Sequence, residues 1–199
     1  MTTNLFSNAI LEQRKKGDFI QKDFSFIDLF AGIGGIRMGV QNAGGKCVFS
    51  SEINEKAAKV YEANFKESPL SDVTQIEAKS LPDFDLLCAG FPCQPFSISG
   101  KKKGFEDTRG ALFFDICRII DEKKPKVVLL ENVKHLIHHN KGQTLKIILQ
   151  NLGYEVSFKL LNAKDFGVPQ NRERIIIIAS QKTAFNFDLL ILKKPQISA

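Results

Sequence analysis

Short apolar segments alternate with amphipathic segments along most of the chain. The apolar segments FSFIDLF, KCVFSSEI, FDLLCAG and KVVLLENV precede stretches with helical spacing, which include NEKAAKVYEANF, ALFFDICRIIDEK and QTLKIILQNLG. This alternation is typical of a parallel sheet with helices on both faces. Nearly unbroken apolar runs such as VVLL fit strands that are buried on both sides. The pattern therefore predicts an α/β, Rossmann-like fold.

The last part of the pattern differs from the rest. Only the loop DFGVPQNRER separates YEVSFKLLNA from RIIIIAS, and it has no helical spacing. A connection this short predicts an antiparallel strand pair that closes one edge of the sheet. We expect a single domain over residues 24–180, preceded by an extension (1–23) and followed by a tail (181–199) without clear periodicity.

Composition narrows the class of protein. The 199 residues, 43% hydrophobic and 25% charged, suit one soluble globular domain. No apolar run approaches the roughly 20 residues that cross a bilayer, and the N-terminus does not resemble a secretory signal, so we expect a cytoplasmic protein. Four cysteines without CxxC spacing predict reduced thiols. The net charge of +6 suits a polyanionic partner without requiring one.

A glycine-rich turn follows the first predicted strand. Gly32, Gly34 and Gly35 let the backbone approach a ligand at a helix N-terminus, where free N–H groups favour an anion. Arg37 stands where the dinucleotide pattern GxGxxG requires its third glycine, so a carboxylate, such as that of a methionine moiety, fits better than a pyrophosphate. Glu52 ends the second strand, where an acidic residue accepts hydrogen bonds from ribose hydroxyls. Alternatively, the glycines serve only a tight turn and Glu52 is solvated.

A cysteine follows the third predicted strand between two prolines. Pro92 and Pro95 restrict the loop, so Cys93 is held near the carboxyl end of a central strand, where ligands gather. A thiolate there is a candidate nucleophile. The alternative for an isolated cysteine is a small buried hydrophobe, which is the role we expect for Cys88.

Taken together, these motifs resemble the bacterial cytosine-5 DNA methyltransferases of type II restriction-modification systems. The resemblance covers about residues 24–180. It includes FIDLFAGIGG, the Glu52 strand end, DVTQI, GFPCQPFSISG, KGFEDTRG, ENV and QNRERI in the order of the family. It implies methyl transfer from S-adenosyl-L-methionine to carbon 5 of cytosine in double-stranded DNA.

The resemblance implies roles for individual residues. Cys93 would attack carbon 6 of a flipped-out cytosine, and Glu131 of ENV would hold and protonate ring nitrogen 3, while Asn132 supports the loop. Arg172 and Arg174 would orient the base and stabilise the anionic intermediate.

The implied cofactor contacts group around the glycine turn and the strand ends. Phe30 would pack on the adenine, with Ile53 and Val73 flanking the ring and Asp72 near the adenine amino group; without the resemblance, Asp72 could equally be an ordinary solvated residue. The full set of implied cofactor residues is Phe30, Ala31, Gly32, Ile33, Gly34, Gly35, Glu52, Ile53, Asp72, Val73, Gly90 and Pro92.

The glycine-interrupted segment 97–110 carries consecutive lysines and suits a lid that closes over DNA phosphates, although a solvated loop is the alternative. The DNA contacts implied by the resemblance are Gln94, Ser97, Ser99, Lys101, Lys102, Lys103, Arg109 and Gln170. No metal is expected. His135, His138 and His139 form HxxHH, but their spacing and context favour surface histidines over a zinc site.

Family members normally continue into a region that recognises the DNA sequence and a conserved segment that returns to the catalytic domain. We find neither in these 199 residues. The chain is therefore expected to be a truncated form or one subunit of a split enzyme, with a second polypeptide supplying recognition and a cognate restriction endonuclease as a partner in the system. The alternative is an inactive remnant that binds S-adenosylmethionine or a partner chain. A Rossmann oxidoreductase with a redox cysteine is disfavoured by the incomplete GxGxxG and by ENV and RER.

Overall fold

A six-stranded sheet organises the parts of the chain that the structure, a computed structural model, describes: residues 23–92 and 111–190. The element bounds differ only slightly from the predicted segments. The strands are β1 (Phe24–Leu29), β2 (Gly45–Ser51), β3 (Leu86–Ala89), β4 (Val127–Val133), β5 (Glu155–Asn162) and β6 (Glu173–Ser180). The α-helices are α1 (Gly35–Asn42), α2 (Glu55–Phe65), α3 (Ala111–Lys123) and α4 (Gln143–Asn151).

The strand order is β2-β1-β3-β4-β6-β5. Strands β2, β1, β3 and β4 pair in parallel, whereas β6 runs antiparallel to both β4 and β5. The predicted α/β class and the antiparallel C-terminal pair are confirmed. Because the loop 163–172 contains no α-helix, β6 turns back directly beside β5, and it inserts between β4 and β5.

The start of α1 requires a glycine. Gly34 precedes the helix with φ of 92°, in the left-handed region. A β-carbon at this position would clash with Cε2 of Phe65 in α2. Glycine therefore allows α1 to begin against the end of α2.

Arg37 joins α1 to α2. Its guanidinium, which is almost fully buried, donates to the Tyr61 hydroxyl at 2.8 Å and to the Glu67 carboxylate at 2.7 Å. It also lies 4.4 Å from the centroid of the Phe65 ring. The residue that replaces the third glycine of the dinucleotide pattern is thus part of a helix-packing network.

One face of the sheet is sealed by α3 and α4. Alternate positions of β4 and β6 join apolar residues of these helices in the core, including Val128, Leu130, Ile175, Ile177, Ile116, Ile119, Leu145 and Ile148. On the other face of the same strands, Leu129 pairs in register with Ile178 and Glu131 with Ile176. These three apolar side chains are only partly buried.

The described cysteines are free thiols: Cys47, Cys88 and Cys117. Cys88 is fully buried, which confirms its predicted role as a small core residue, and burial raises the pKa of Cys117 to about 12. In the ranges 23–92 and 111–190, no helix has both the length and the apolar character that a membrane crossing requires.

Candidate active site

The carboxyl ends of the parallel strands surround a cavity of about 330 Å³. The connection after β1 leads to β2 on one side of the sheet, and the connection after β3 leads to β4 on the other side. The strand order therefore switches between β1 and β3, and α/β folds bind ligands at such a switch point. The cavity is lined by Phe30, Ser51, Glu52, Ile53, Ser71, Asp72, Val73, Gly90, Pro92 and Leu112.

Glu52 connects the strand end to the glycine turn. Its Oε2 accepts a hydrogen bond from the N–H of Gly32 at 2.7 Å, and its Oε1 accepts one from the N–H of Asn54 at 2.7 Å. Each oxygen of a carboxylate has about two acceptor positions, so both can still accept a ligand hydroxyl. The backbone thus fixes a carboxylate that faces the cavity.

Most residues of the glycine-rich turn, 31–35, do not line the cavity. Phe30, at φ of 55°, and Gly32, at φ of 57°, take left-handed conformations, and only Phe30 of this segment lines the cavity. The predicted cofactor residues Ala31, Gly32, Ile33, Gly34 and Gly35 form the turn that follows it and are not among the lining residues.

Asp72 and Val73 form another part of the cavity wall. Asp72 Oδ1 accepts hydrogen bonds from the N–H and the hydroxyl of Thr74 at 2.9 and 2.8 Å, which closes a tight turn. Val73 is buried. This fixed turn presents the second predicted acidic side chain to the cavity.

Three lining residues were not expected from the sequence: Ser51, Ser71 and Leu112. Ser51 and Ser71 each precede a predicted residue directly, which is the signal that could have indicated them. Leu112 belongs to α3, and nothing in its helical pattern indicates which residues of that helix reach the cavity.

Glu131 and Arg174 lie beside this cavity. Nε of Arg174 is 2.8 Å from Oε1 of Glu131, and each side chain is 25% exposed. A β-carbon at Gly90, which lines the cavity, would lie 3.6 Å from Oε2 of Glu131. The predicted acid therefore adjoins the cavity through a glycine that leaves room for its carboxyl group.

Asn132 supports the chain that leads toward Cys93. This buried side chain donates from Nδ2 to the carbonyl of Phe91 at 2.9 Å, and its Oδ1 accepts from the N–H of Val133 at 2.8 Å. The bond fixes Phe91, which follows β3 in the chain. Several predicted site residues lie beyond it, outside the described residues: Cys93, Gln94, Ser97, Ser99, Lys101, Lys102, Lys103 and Arg109.

Arg172 and Gln170 occupy the exposed loop between β5 and β6. Asn162 organises this loop, because its Oδ1 accepts from the N–H of Arg172 at 3.1 Å and its Nδ2 donates to Asn171 at 2.7 Å. Of the two predicted arginines, the structure pairs only Arg174 with Glu131.

Asp28 is a buried acidic residue that the sequence did not single out. It is fully buried in β1, and neither carboxylate oxygen has a hydrogen-bond partner among the described residues. Burial raises the pKa of Asp28 from 3.8 to about 7, and the nearby positive charge of Arg37 offsets only part of this rise. The carboxyl group is therefore largely protonated below neutral pH.

The histidines take local roles. Nδ1 of His139 lies 2.7 Å from the Thr144 hydroxyl, and the His135 and His139 rings meet edge to face at 5.8 Å. Among the residues described, no group of three or more histidine, cysteine, aspartate or glutamate side chains is arranged to hold a metal ion.

Comparison with known proteins identifies relatives over most of the chain. The profile of the C-5 cytosine-specific DNA methylase family matches residues 24–197. The chain is 56% identical to the type II methyltransferase M.HhaI of Haemophilus parahaemolyticus over 156 residues, which cover 77% of this chain and 48% of that protein. It is 58% identical to M.HpaII of Haemophilus parainfluenzae over 171 residues, 82% of this chain and 48% of that protein.

A solved structure shares the architecture. The DNMT2 mutant structure from Spodoptera frugiperda superposes with a TM-score of 0.65 at 26% identity, over 87% of this chain and 53% of that one. The chain thus spans about half the length of the relatives that it matches.

Proposed function

Because the chain belongs to the C-5 cytosine-specific DNA methylase family, we propose that it carries the cofactor-binding and catalytic part of a DNA cytosine-5 methyltransferase. The observation that supports this most directly is the position of Glu131 beside the cavity that Glu52 and Asp72 line. A cofactor and a base can therefore meet at Gly90.

The cavity fits S-adenosyl-L-methionine. Phe30, Ile53 and Val73 supply apolar surface for a flat ring, while Glu52 supplies acceptors for ribose hydroxyls and Asp72 one for an exocyclic amine. When bound, this cofactor supplies an electrophilic methyl group on a sulfonium. The acidic lining also suits a ligand that carries positive charge.

We propose that Cys93 and Glu131 activate the cytosine together. Carbon 5 of cytosine is a poor nucleophile, so addition of the Cys93 thiolate to carbon 6 splits one difficult step into two easier ones. Glu131 gives a proton to ring nitrogen 3 as the sulfur–carbon bond forms, which neutralises the ring. Oε2 is the oxygen suited to this transfer, because Oε1 faces Arg174. Methylation of carbon 5 leaves S-adenosylhomocysteine as the second product, and ring nitrogen 3 then returns its proton to Glu131. Solvent takes the proton from carbon 5 as the Cys93 thiolate departs.

The substrate must be extruded from the double helix. Carbon 6 is stacked inside duplex DNA, and flipping the base out costs a few kcal/mol. Contacts from Arg172, Arg174 and Gln170 on the β5–β6 side would offset part of that cost. We propose that the lysines at 101–103 contribute charge attraction to the phosphates, and that the reaction takes place in the bacterial cytoplasm, where the DNA is.

We further propose that a polypeptide equivalent to the unmatched half of the relatives docks on the partly exposed sheet face at Leu129, Ile176 and Ile178. The relatives are about twice the length of the matched region, and the corresponding positions on the opposite face are sealed by helices. Covering a partly exposed apolar sheet face removes apolar surface from water and therefore lowers the free energy.

Transfer of labelled methyl groups tests the function. The chain is incubated with labelled S-adenosylmethionine and duplex DNA, alone and with the part of M.HhaI that it does not match. We expect incorporation into cytosine in the mixture, and loss of it with Glu131→Gln by about 10²-fold or more. A chain that binds the cofactor but transfers no methyl group in either condition would instead be a non-catalytic binding protein.

A further inference from the structure

Arg118 of α3 reaches across to the wall of the cofactor cavity. Its NH1 donates to the carbonyl of Ile76 at 2.8 Å, and its NH2 donates to the carbonyl of Val73 at 3.2 Å. These two carbonyls bracket the turn whose first residues, Asp72 and Val73, line the cavity. Arg118 itself is not among the lining residues.

We propose that Arg118 is a positioning residue that holds the Asp72–Val73 wall in the geometry required for cofactor binding. The inference rests on the proposed function of the cavity. Arg118 acts through the backbone of the turn and does not touch the cofactor.

The turn is fixed from two sides, and Arg118 provides the second. On the β2 side, the N–H of Glu52 donates to the Pro69 carbonyl at 2.9 Å, and the N–H of Ser71 donates to the Glu52 carbonyl at 3.1 Å. These bonds hold the chain only as far as Ser71. Beyond Asp72, the bonds from Arg118 connect the turn to α3.

An arginine suits this position better than a lysine. Two carbonyls must be bound at once by donors on different nitrogens, which a planar guanidinium provides and a single ammonium does not. Asp115, one helical turn earlier, orients the guanidinium of Arg118: Oδ1 of Asp115 accepts from Nε at 3.4 Å and from NH2 at 3.2 Å. The Asp115 side chain is 16% exposed and the Arg118 side chain 40%, so the carboxylate is shielded from solvent more than the guanidinium.

The same helix also contributes to the cavity directly. Leu112 of α3 lines it, and Arg118 lies further along that helix. Loss of the guanidinium would therefore remove the hydrogen bonds that join the Asp72–Val73 turn to α3, the helix that forms the neighbouring part of the cavity wall. The effect should fall on cofactor affinity and not on contacts with DNA.

The test compares Arg118→Ala and Arg118→Lys with Lys123→Ala. Lys123 is in the same helix and pairs with Asp83 at 3.3 Å, so its removal also takes one cation and one ion pair from α3 without touching the turn. For Arg118→Ala we expect the dissociation constant of S-adenosylmethionine to rise about tenfold, as loss of hydrogen bonds from a charged donor implies. Arg118→Lys should recover part of the affinity, Lys123→Ala should match the wild type, and the affinity for DNA should not change in any of them.

Amide hydrogen exchange without cofactor gives an independent measurement. The N–H groups of Gln75 and Ile76 bond within the turn, and they should exchange faster in Arg118→Ala, while α3 keeps its protection. Unchanged exchange and affinity in Arg118→Ala, or an equal loss of affinity in Lys123→Ala, would overturn the inference. A wild-type chain that binds no cofactor would contradict the proposed function, and the exchange comparison would still decide whether Arg118 holds the turn.

Discussion

Asp28 carries a buried carboxyl group in the strand that leads into the glycine turn, without a good hydrogen-bond donor in the described structure. Its pKa is raised from 3.8 to about 7. The folded chain therefore binds this proton more tightly than the unfolded chain does. The resulting stabilisation is complete below pH 4 and is lost as the pH rises through 7.

Replacement of Asp28 by Asn should remove this pH dependence. Between pH 5 and pH 8, the free energy of unfolding of Asp28→Asn should rise relative to the wild type by up to roughly 3 kcal/mol, because each pH unit corresponds to about 1.4 kcal/mol. Denaturant unfolding of both proteins at the two pH values measures the difference. An identical difference at both values would show that Asp28 does not titrate in this range.

At single positions, the sequence allowed us to predict which residues lie together better than how their side chains are packed and paired. Glu52 and Asp72 were predicted to lie near one ligand, and both line the same cavity, whereas their contacts with a cofactor stay a prediction. Asp28 and Leu112 were not identified, since burial without a partner and the side of a helix that reaches a cavity are set by tertiary packing. The pairing of Arg174 with Glu131 depends on the register of β4 and β6, which the sequence pattern does not specify.

Among the elements, the turn into α1 is the one whose geometry depends most clearly on residue type. Gly34 combines a left-handed φ of 92° with the contact at Phe65, whereas a β-carbon at Gly35 would meet nothing within 4 Å. Gly34 therefore has no room for a side chain, whereas the adjacent Gly35 does, so substitutions at the two positions can be compared directly.

Gly34→Ala should lower the free energy of unfolding by about 2 kcal/mol or more, from backbone strain and overpacking against α2. Gly35→Ala should leave it unchanged or raise it by up to about 1 kcal/mol, since alanine restricts the unfolded chain. Urea unfolding of the two variants measures both effects. Equal destabilisation would mean that the contact with Phe65 does not limit the turn.

The strands and helices themselves were largely predictable, because each corresponds to one apolar run or one amphipathic segment of the sequence. The antiparallel pair followed from a connection too short for a helix. The insertion of β6 between β4 and β5 was not predictable, since either order satisfies the same pattern of apolar residues.

Across the whole molecule, the two faces of β6 differ. Ile177 is buried under α3 and α4, whereas Ile176 and Ile178 are partly exposed on the face proposed to dock the second polypeptide. Substitutions at alternating positions of β6 should therefore affect different properties: the stability of the chain at Ile177, and its association with a partner at Ile176 and Ile178.

Ile176→Thr combined with Ile178→Thr should weaken binding of the unmatched half of M.HhaI at least about tenfold, because apolar contact area is lost. The free energy of unfolding of the chain alone should fall by no more than about 1–2 kcal/mol. Ile177→Thr should destabilise the chain by several kcal/mol, since it buries a hydroxyl group in the core. Titration calorimetry and denaturant unfolding measure the two properties, and unchanged association in the double variant would exclude this docking face.

Covalent trapping on duplex DNA with 5-fluorocytosine at the target position tests the central claim most directly. Fluorine cannot leave carbon 5 as a proton does, so the bond between sulfur and carbon 6 should persist after methyl transfer. In the presence of S-adenosylmethionine and the unmatched half of M.HhaI, mass spectrometry should show this chain joined to methylated DNA through Cys93, with no such adduct for Cys93→Ser. An adduct through another residue, or methyl transfer to cytosine by Cys93→Ser, would contradict the account.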